Sequence, residues 1–371
     1  MLTAVSLYAF RNYTKQAVPL TPGINLFLGD NAQGKTNLLE AIYLAATSRS
    51  PRSAVLTEMV MWEQHAARVV LEFADEGGAH ALEVRLERES GPRTKRKLVL
   101  DGKPLASSAL AGRVKTVLFH PEEMGLIRGS GEGRRRLLNG LMTQSEPGFA
   151  SLLSRYGRVV EQRNGLLKRI AQELEPVSAL GYWTEEVGRV GAEVVEARRR
   201  CLARVGPLVA ERYADVAGGE ALELSYAPSV DPSGNSADPA AAIVAELQGR
   251  EREEVARGLT VAGPHRDDIS FQLGGLPAAN HASQGQQRTA ILAFKLAEVE
   301  VLSDDGVAPV LLLDDVMSEL DAPRREHLLA LVEAVPQAVI TSAEEGYFPP
   351  GFVDRVAARR VTAGTVASLQ P

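Results

Sequence analysis

A glycine-rich loop near the N-terminus constrains the fold of this chain more than any other feature of its sequence. Residues 29–36 are GDNAQGKT and fit the Walker A pattern G-x-x-x-x-G-K-[ST]. The apolar run 24–28 before the loop predicts a buried strand, and residues 37–42 after it predict a helix whose N-terminus faces bound phosphates. The sequence therefore predicts a phosphate-binding loop; the alternative is a glycine-rich turn without a ligand.

The residue types of this loop suit a nucleoside triphosphate with a divalent metal. Glycines let backbone N–H groups turn towards the phosphates, Lys35 reaches the β- and γ-phosphates, and the Thr36 hydroxyl ligates Mg²⁺. The predicted cofactor-binding residues of the loop are Gly29, Asp30, Asn31, Ala32, Gln33, Gly34, Lys35 and Thr36.

A second apolar run, near the other end of the chain, supplies the carboxylates that such a loop needs. Residues 310–313 predict a buried parallel strand, and Asp314 and Asp315 follow it. Asp314 is placed to hold the metal, and Asp315 to orient or deprotonate the attacking water. We predict Lys35, Asp314 and Asp315 as catalytic residues and Thr36 and Asp314 as metal ligands; the alternative is an ordinary acidic turn after a core strand.

The composition is that of an ordinary globular protein, with 371 residues of which 45% are hydrophobic and 24% charged. No apolar run approaches the roughly 20 residues of a bilayer span, and no leader is evident, so we expect a cytoplasmic protein without a membrane partner. A single cysteine, Cys201, excludes an internal disulfide and predicts a packing role in a reducing compartment.

The net charge of −6 is not that of a general nucleic-acid binder, so any such affinity must come from a local basic patch. Arg134, Arg135 and Arg136 open a predicted helix and are candidate contacts to a DNA backbone, with a solvated helix end as an equal alternative. The basic cluster 93–97 has two equal interpretations. It contacts DNA, or it is a charged strand edge that blocks pairing with other strands.

The middle of the chain differs in composition from both ends. Residues 132–213 are rich in Leu, Arg, Glu and Ala at helical spacing and predict three or four helices, interrupted at 175–176 and 206–207. One helical series comprises Leu152, Tyr156, Val159, Val160, Arg163 and Leu167. A Pro-, Ser- and Gly-containing loop is predicted at 231–239.

This helical stretch lies between the two halves of the predicted nucleotide site. The simplest architecture is one α/β nucleotide-binding domain built from residues 1–122 and 256–371, with a mainly helical domain, 123–255, inserted into it. The two ends of the chain are then expected to belong to one domain.

A second predicted anion site begins another helix. Residues 283–288 are SQGQQR, and Ser283, Gly285 and Gln286 form a turn that directs N–H groups and a hydroxyl outwards. One domain with one phosphate loop has little use for a second such helix end. The turn is better explained if it completes the nucleotide site of another copy of the chain.

Several of these blocks together resemble the RecF family of bacterial recombination-repair proteins, relatives of the SMC-type ATPases. Residues 283–287 resemble an ABC-type signature turn, and SELD at 318–321, which ends on Asp321, resembles the D-loop. Further matching blocks are FRNY at 10–13, LFHPE at 118–122, GRRR at 133–136 and GPHRDD at 263–268. The resemblance implies an ABC-type P-loop ATPase head and a homodimer with ATP between Lys35 and Thr36 of one copy and the signature turn of the other, with Asp321 also at the nucleotide.

The same resemblance implies a function in recombinational repair and replication. It implies DNA binding at single-strand/double-strand junctions and gapped duplex, assistance in loading recombinase, a weak DNA-stimulated ATPase that acts as a switch, and the partners RecR and RecO. The sequence departs from ABC-type enzymes at Asp315, where Glu is usual, and at Thr341 and Ser342, where transporters have His. His120 or Glu122 would replace the missing Q-loop glutamine.

Three other classes of protein remain as alternatives. A transporter-type ABC ATPase subunit would lack the long insertion and carry the switch His. A small-molecule P-loop kinase would lack the signature turn. A scaffold with a vestigial site would not need intact Lys35, Thr36, Asp314 and Asp315.

Overall fold

The computed structural model of the chain describes residues 1–53, 55–89, 94–217, 220–230 and 238–369. Most of the predicted loop 231–239 and Arg93 of the basic cluster therefore lie outside the described residues. Among the described residues, no helix is long and apolar enough to cross a membrane.

The regular elements follow one another along the chain in alternating β-rich and helical stretches. The strands are β1 Leu2–Phe10, β2 Tyr13–Pro19, β3 Gly23–Leu28, β4 Ala66–Asp75, β5 Gly78–Arg88, β6 Thr94–Leu100, β7 Lys103–Pro104, β8 Thr116–Phe119, β9 Leu222–Ala227, β10 Asp268–Leu273, β11 Leu276–Pro277, β12 Val310–Asp314, β13 Gln337–Ser342, β14 Ala357–Thr362 and β15 Thr365–Ser368. The α-helices are α1 Lys35–Thr47, α2 Ser107–Leu110, α3 Gly131–Ser145, α4 Phe149–Ala171, α5 Leu180–Ala217, α6 Pro239–Gly249, α7 Glu251–Arg257, α8 Ala278–His281, α9 Gln284–Leu302 and α10 Ala322–Ala334. Short 3₁₀ segments occur at Leu56–Met59, Pro121–Gly125, Val177–Ala179, Val316–Glu319, Glu345–Tyr347 and Val353–Arg355.

The chain divides into two compact units. The head unit consists of Met1–Met124 and Glu298–Pro371, and the arm unit of Gly125–Ala297. This division differs from the expected one in where the second head segment begins, at 298 instead of 256. The physical reason is strand pairing, because β10 pairs along its whole length with β9, a strand that the sequence pattern did not predict.

The head unit contains two six-stranded sheets, and helix α1 packs against strands of both. One sheet is antiparallel, in the order β2-β1-β4-β5-β6-β7; the other has the order β15-β14-β3-β13-β12-β8 and is parallel apart from the terminal β14–β15 hairpin. Strands β12 and β13 are buried along their whole length, as expected for a parallel sheet covered on both faces.

The order of the parallel sheet brings the two ends of the chain together. Strand β13 pairs with β3 on one side and with β12 on the other. Since all three run in the same direction, the loop after β3 and Asp314 at the end of β12 emerge at the same edge of the sheet, where parallel α/β sheets bind ligands.

The arm unit is built on the long helix α5, against which α4, α6 and β9 pack. The predicted interruption at 175–176 is confirmed, because α4 and α5 are separate helices. The predicted interruption at 206–207 is wrong, since Pro207 lies inside α5. A proline removes one intrahelical hydrogen bond, and here the flanking side chains of Val205 and Val209 are completely buried, so tertiary packing holds the helix together.

Candidate nucleotide-binding site

The predicted phosphate loop, residues 29–36, connects strand β3 to helix α1, which is the strand–loop–helix order that the sequence predicts. Gly34 precedes the helix in a left-handed conformation, with φ of 116°. A Cβ atom on Gly29 would lie 2.3 Å from the backbone oxygen of Val361, so only glycine fits there. The close approach of β14 thus accounts for the first glycine of the pattern.

Lys35 points back over the loop. Its Nζ donates hydrogen bonds to the backbone oxygens of Gly29, at 2.6 Å, and Asp30, at 2.9 Å. Burial lowers the pKa of Lys35, while the carboxylates of Asp315, Asp314 and Asp30 act in the opposite direction. The ammonium group is thus held at the inner face of the loop, close to three acidic side chains.

Thr36 and Asp314 are in direct contact, although 278 positions separate them in the sequence. The Thr36 hydroxyl donates to Asp314 Oδ1 at 2.9 Å, and the Thr341 hydroxyl donates to the same oxygen at 2.9 Å. Burial raises the pKa of Asp314. The hydrogen bonds that Thr36 and Thr341 donate and the charge interaction with His120 partly offset this effect. The two halves of the predicted site therefore form one constellation.

His120 lies at the second oxygen of this carboxylate. Its Nε2 is 3.5 Å from Asp314 Oδ2, and the backbone N–H of Glu122 donates to its Nδ1 at 3.2 Å. Of the two residues that could replace the Q-loop glutamine, His120 is the one that contacts the metal-binding candidate.

Asp315 has a left-handed backbone conformation, with φ of 50°. Its N–H donates to the backbone oxygen of Thr341 at 3.1 Å, and its Oδ1 accepts from the N–H of Ala343 at 3.2 Å. Aspartate tolerates this conformation better than most residues do. The predicted catalytic carboxylate is thus fixed against residues 341–343, where transporters carry their switch histidine.

The phosphate loop is braced by residues whose roles the sequence pattern did not reveal. Asn12 Nδ2 donates to the backbone oxygen of Gln33 at 3.0 Å, and the Tyr13 hydroxyl donates to that of Gly34 at 3.0 Å. From the other end of the chain, the N–H of Gly364 donates to the backbone oxygen of Gln33 at 2.9 Å. In the sequence, the only indications that these residues matter were the block FRNY at 10–13, which was noticed through the family resemblance alone, and the turn residues 363–364.

The buried carboxylate of Glu40 anchors the first turns of helix α1. Glu40 is completely buried and accepts two hydrogen bonds from Arg11, at 2.8 and 2.7 Å, and one from the Ser50 hydroxyl at 2.5 Å. Such a bidentate pair fixes geometry as well as charge. Arg11 therefore supports α1 and the segment after it.

The predicted signature turn lies in the arm unit, at the N-terminus of α9. Ser283 Oγ accepts from the N–H of Gln286 at 3.2 Å, and Gln286 Oε1 accepts from the N–H of Ser283 at 2.7 Å, which is a reciprocal capping box. Ser283 is exposed, and Gly285 and Gln286 are half-buried. The Gln286 amide also donates to Glu220 at 2.6 Å.

Asp321 caps another helix. Its Oδ1 accepts from the N–H of Arg324 at 3.2 Å at the start of α10, and its carboxylate pairs with the Arg324 guanidinium. A nucleotide contact by Asp321 stays a prediction, and the structure adds this local capping role.

The three arginines predicted to bind DNA are in different environments. Arg134 donates to both oxygens of Asp268, at 2.8 and 2.7 Å, and to three backbone oxygens of residues 126–129. Arg135 is half-buried and donates to the backbone of Asp267. The Arg136 side chain is 61% exposed and pairs only loosely with Glu132, at 3.5 Å. DNA contact remains a prediction for all three, and the environment favours Arg136.

Comparison with known proteins identifies the class of this fold. The family model described as the RecF/RecN/SMC N-terminal domain matches residues 1–358. A crystal structure of an Smc head domain from Pyrococcus furiosus, with an extended coiled coil and bound to the C-terminal domain of ScpA, superposes with a TM-score of 0.54 at 15% identity, covering 99% of this chain and 96% of that one. The chain thus has the ABC-type P-loop ATPase fold of SMC-like heads, in which both chain ends form one head.

Proteins with higher sequence identity to this chain show which family within this class it belongs to. The DNA replication and repair protein RecF of Synechococcus sp. (strain JA-3-3Ab) is 35% identical over 373 residues, covering 99% of this chain and 97% of the relative. Structures of the recombination mediator protein RecF in the RecFOR pathway, as RecF-ATPrS and RecF-ATP, superpose with TM-scores of 0.88 and 0.87 at 28% identity; the first covers 100% of this chain and 98% of that one, and the second 99% and 97%. The chain belongs to the RecF family. These relatives do not favour the transporter-type alternative.

Proposed function

We propose that this chain is an ATP-dependent DNA-binding protein of recombinational repair and replication-fork maintenance. The observation that carries the proposal is the hydrogen bond between Thr36 and Asp314, which joins the predicted phosphate loop and the predicted metal ligand from opposite ends of the chain. Membership of the RecF family, with relatives named as DNA replication and repair proteins and as a recombination mediator, supports the biological role.

ATP with Mg²⁺ is the proposed cofactor pair, and the residues present fit it. The loop N–H groups and Lys35 would bind the phosphates, and the hydroxyl of Thr36 with the carboxylate of Asp314 offers the hard oxygen ligands that Mg²⁺ prefers. When bound, the metal neutralises charge on the β- and γ-phosphates. The similar RecF-ATP structure supports this assignment.

Hydrolysis is proposed to be weak and to act as a switch. Asp315 is held in a fixed orientation and would orient or deprotonate the attacking water. Its side chain is one methylene shorter than the glutamate usual in ABC-type enzymes, so it reaches the water less easily.

The signature turn is proposed to act on the nucleotide of a second copy. Ser283 is exposed at the N-terminus of a 19-residue helix, which favours binding of an anion. Ser283, Gly285, Gln286 and Asp321 would complete the site of the partner, so that ATP binding drives homodimerisation. DNA at single-strand/double-strand junctions or gaps is the proposed substrate, and RecR and RecO are the proposed partners in assisting recombinase loading.

Sedimentation velocity with and without ATP, and with and without a gapped duplex, tests this proposal. We expect ATP to convert the wild-type chain to dimers, and Lys35→Met to prevent this because the β- and γ-phosphates lose their cation. Ser283→Arg is expected to bind ATP as a monomer and not to dimerise. Lys168→Met and Ser178→Arg, at exposed positions in the arm unit, are matched controls that should dimerise normally.

Two outcomes would contradict the proposed dimer with ATP bound between its two copies. ATP-driven dimers of Lys35→Met would exclude the phosphate loop as the trigger. Equal loss of ATP binding and dimerisation in Ser283→Arg would exclude a role of the signature turn in the partner's site.

A further inference from the structure

The predicted signature turn is in contact with a carboxylate of its own chain. The side-chain amide of Gln286 donates a hydrogen bond to Glu220 Oε2 at 2.6 Å. Glu220 is exposed and lies in the arm unit, between helix α5, which ends at Ala217, and strand β9, which begins at Leu222. A charged acceptor at this distance makes a strong hydrogen bond. The turn that is proposed to receive an anion therefore has a negative charge of the same chain beside it.

The polar atoms of Gln286 are divided between Glu220 and the turn itself. Its Oε1 accepts from the N–H of Ser283, and its backbone N–H donates to Ser283 Oγ. This reciprocal capping box fixes the orientation of the Gln286 side chain and directs Nε2 towards Glu220. A phosphate oxygen that accepts the same hydrogen of Nε2 has to displace the carboxylate of Glu220.

The backbone on both sides of this contact is held by one small sheet. Strand β9 pairs with β10 along its whole length, and the N–H of Gly274 donates to the backbone oxygen of Ala221, next to Glu220, at 3.1 Å. On the other side, Gln287 Nε2 donates to the backbone oxygen of Ala282 at 3.0 Å, which ties the end of helix α8 to the start of α9. Helix α8 packs against β10. Because the fold positions both partners, the backbone adds little entropic cost to the hydrogen bond between them.

The charges around the signature turn act in opposite directions. Arg128 Nη2 lies 3.5 Å from the backbone oxygen of Ala282, the residue before Ser283, and its positive charge favours a phosphate. The N-terminal end of the α9 dipole favours a phosphate as well. Glu220 opposes one, because like charges repel each other when they meet at an interface. Its carboxylate thus competes with the phosphates of ATP for a place that suits an anion.

We propose that Glu220 is an autoinhibitory contact of the signature turn, which holds Gln286 and repels the phosphates of the partner's ATP until dimerisation displaces it. The inference rests on the proposed function, in which Ser283 and Gln286 face the nucleotide of a second copy. Displacement needs no change of the backbone, because the Glu220 side chain is exposed and exposed side chains change rotamer within picoseconds to nanoseconds. The contact raises the protein concentration at which ATP-bound dimers form, and it leaves ATP binding by a single copy unchanged.

Sedimentation velocity of the full chain with ATP and Mg²⁺, over a series of protein concentrations, tests this inference. Glu220→Gln removes the charge, Glu220→Ala removes the hydrogen bond as well, and both should dimerise more tightly than the wild type. Loss of one exposed hydrogen bond to a charged group corresponds to roughly 3- to 10-fold. A symmetric dimer contains two such turns, so the dimer dissociation constant should fall roughly 10- to 100-fold. Glu211→Gln, which makes the same change in charge at an exposed position of α5, is the matched control and should dimerise as the wild type does.

Three further measurements distinguish electrostatic inhibition from a change in structure. Salt screens exposed charges, so the advantage of Glu220→Gln over the wild type should shrink as the ionic strength is raised. Calorimetric titration at protein concentrations that keep the chain monomeric should give the same ATP affinity for both proteins. The melting temperature should not change, since the side chain of Glu220 is exposed.

The outcomes separate this inference from the proposed function. If the wild type forms dimers with ATP and Glu220→Gln forms them equally or less readily, Glu220 is not inhibitory, and the proposed dimer stands. If the advantage of Glu220→Gln is independent of salt, or if Glu211→Gln gains as much, the charge at this turn is not the cause and the inference is overturned. Dimers of Glu220→Gln at concentrations where the wild type remains monomeric would support it. If neither the wild type nor any variant dimerises with ATP, both proposals fail.

Discussion

At the scale of single residues, the proposed metal ligand Asp314 lies in surroundings that disfavour its charged form. The carboxylate is 3% exposed, and burial raises its pKa, which means that the native state holds its proton more tightly than the unfolded chain does. Its contribution to stability is fully present below the unfolded pKa of about 4 and is lost as the pH rises through the higher native pKa. The charged form that the proposed metal binding requires is therefore maintained at the expense of folding stability.

Asp314→Asn should stabilise the chain at neutral pH while abolishing Mg²⁺-dependent ATP hydrolysis. Asparagine can still accept the hydrogen bonds of Thr36 and Thr341 and carries no buried charge. We expect a higher melting temperature than that of the wild type at pH 7–8, and the difference should shrink towards zero as the pH is lowered towards 4. Thermal unfolding between pH 4 and 8 measures this, with the exposed Asp215→Asn as a control. A variant that melts below the wild type at pH 7–8 would contradict the explanation.

At the scale of elements, the arm unit contains a buried ion pair between α4 and α7. Arg163 donates to both oxygens of Glu254, at 2.9 and 2.6 Å, and also to the hydroxyls of Thr184 and Thr260. Both charged side chains are essentially inaccessible. Arg163 belongs to the predicted helical series of α4, so its burial followed from spacing, whereas its partner lies 91 positions away.

Removing one member of this pair should destabilise the arm unit. Arg163→Met leaves Glu254 charged and buried, and we expect a loss of about 3–5 kcal/mol. The double variant Arg163→Met, Glu254→Gln should recover part of it. Denaturant unfolding followed by circular dichroism checks this, with the exposed Arg158→Met on the same helix as the control. If Arg163→Met and Arg158→Met unfold alike, the buried pair is not a determinant of stability.

At the scale of the whole molecule, the proposed DNA-binding arginines can be separated from structural ones. Arg136 is exposed, whereas Arg134 uses its donors within the arm unit. Arg136→Glu should weaken DNA binding and reduce the slope of the salt dependence by about one unit for each phosphate that Arg136 neutralises, with the melting temperature unchanged. Fluorescence anisotropy with a gapped duplex over a salt series measures both the affinity and the slope.

Arg134→Glu should behave differently. It places a second carboxylate beside Asp268 and removes the hydrogen bonds to residues 126–129, so we expect a lower melting temperature. The exposed Arg158→Glu, with the same change in charge, is the control for the DNA measurements. An unchanged salt slope for Arg136→Glu would exclude this residue from the DNA-binding surface.

The sequence by itself determined the local parts of this protein. The phosphate loop, the strand before it and the helix after it occur where the pattern predicts them, as does the buried strand that ends in Asp314. These features depend on residues close together in the chain, namely glycines that permit unusual backbone angles and unbroken apolar runs. Family membership, too, was already contained in the order of short motifs.

Only the tertiary structure decided which distant residues meet. The pairing of β9 with β10, the continuity of α5 through Pro207 and the bracing of Gln33 by Asn12 and Gly364 all depend on long-range contacts. Periodicity reports which face of an element is buried and carries no information on what covers it, so packing can override local propensity. For the same reason the sequence identified Arg134 and Arg136 as equal candidates for DNA contact. In the folded arm unit, Arg134 is bound to Asp268, whereas Arg136 is exposed to solvent.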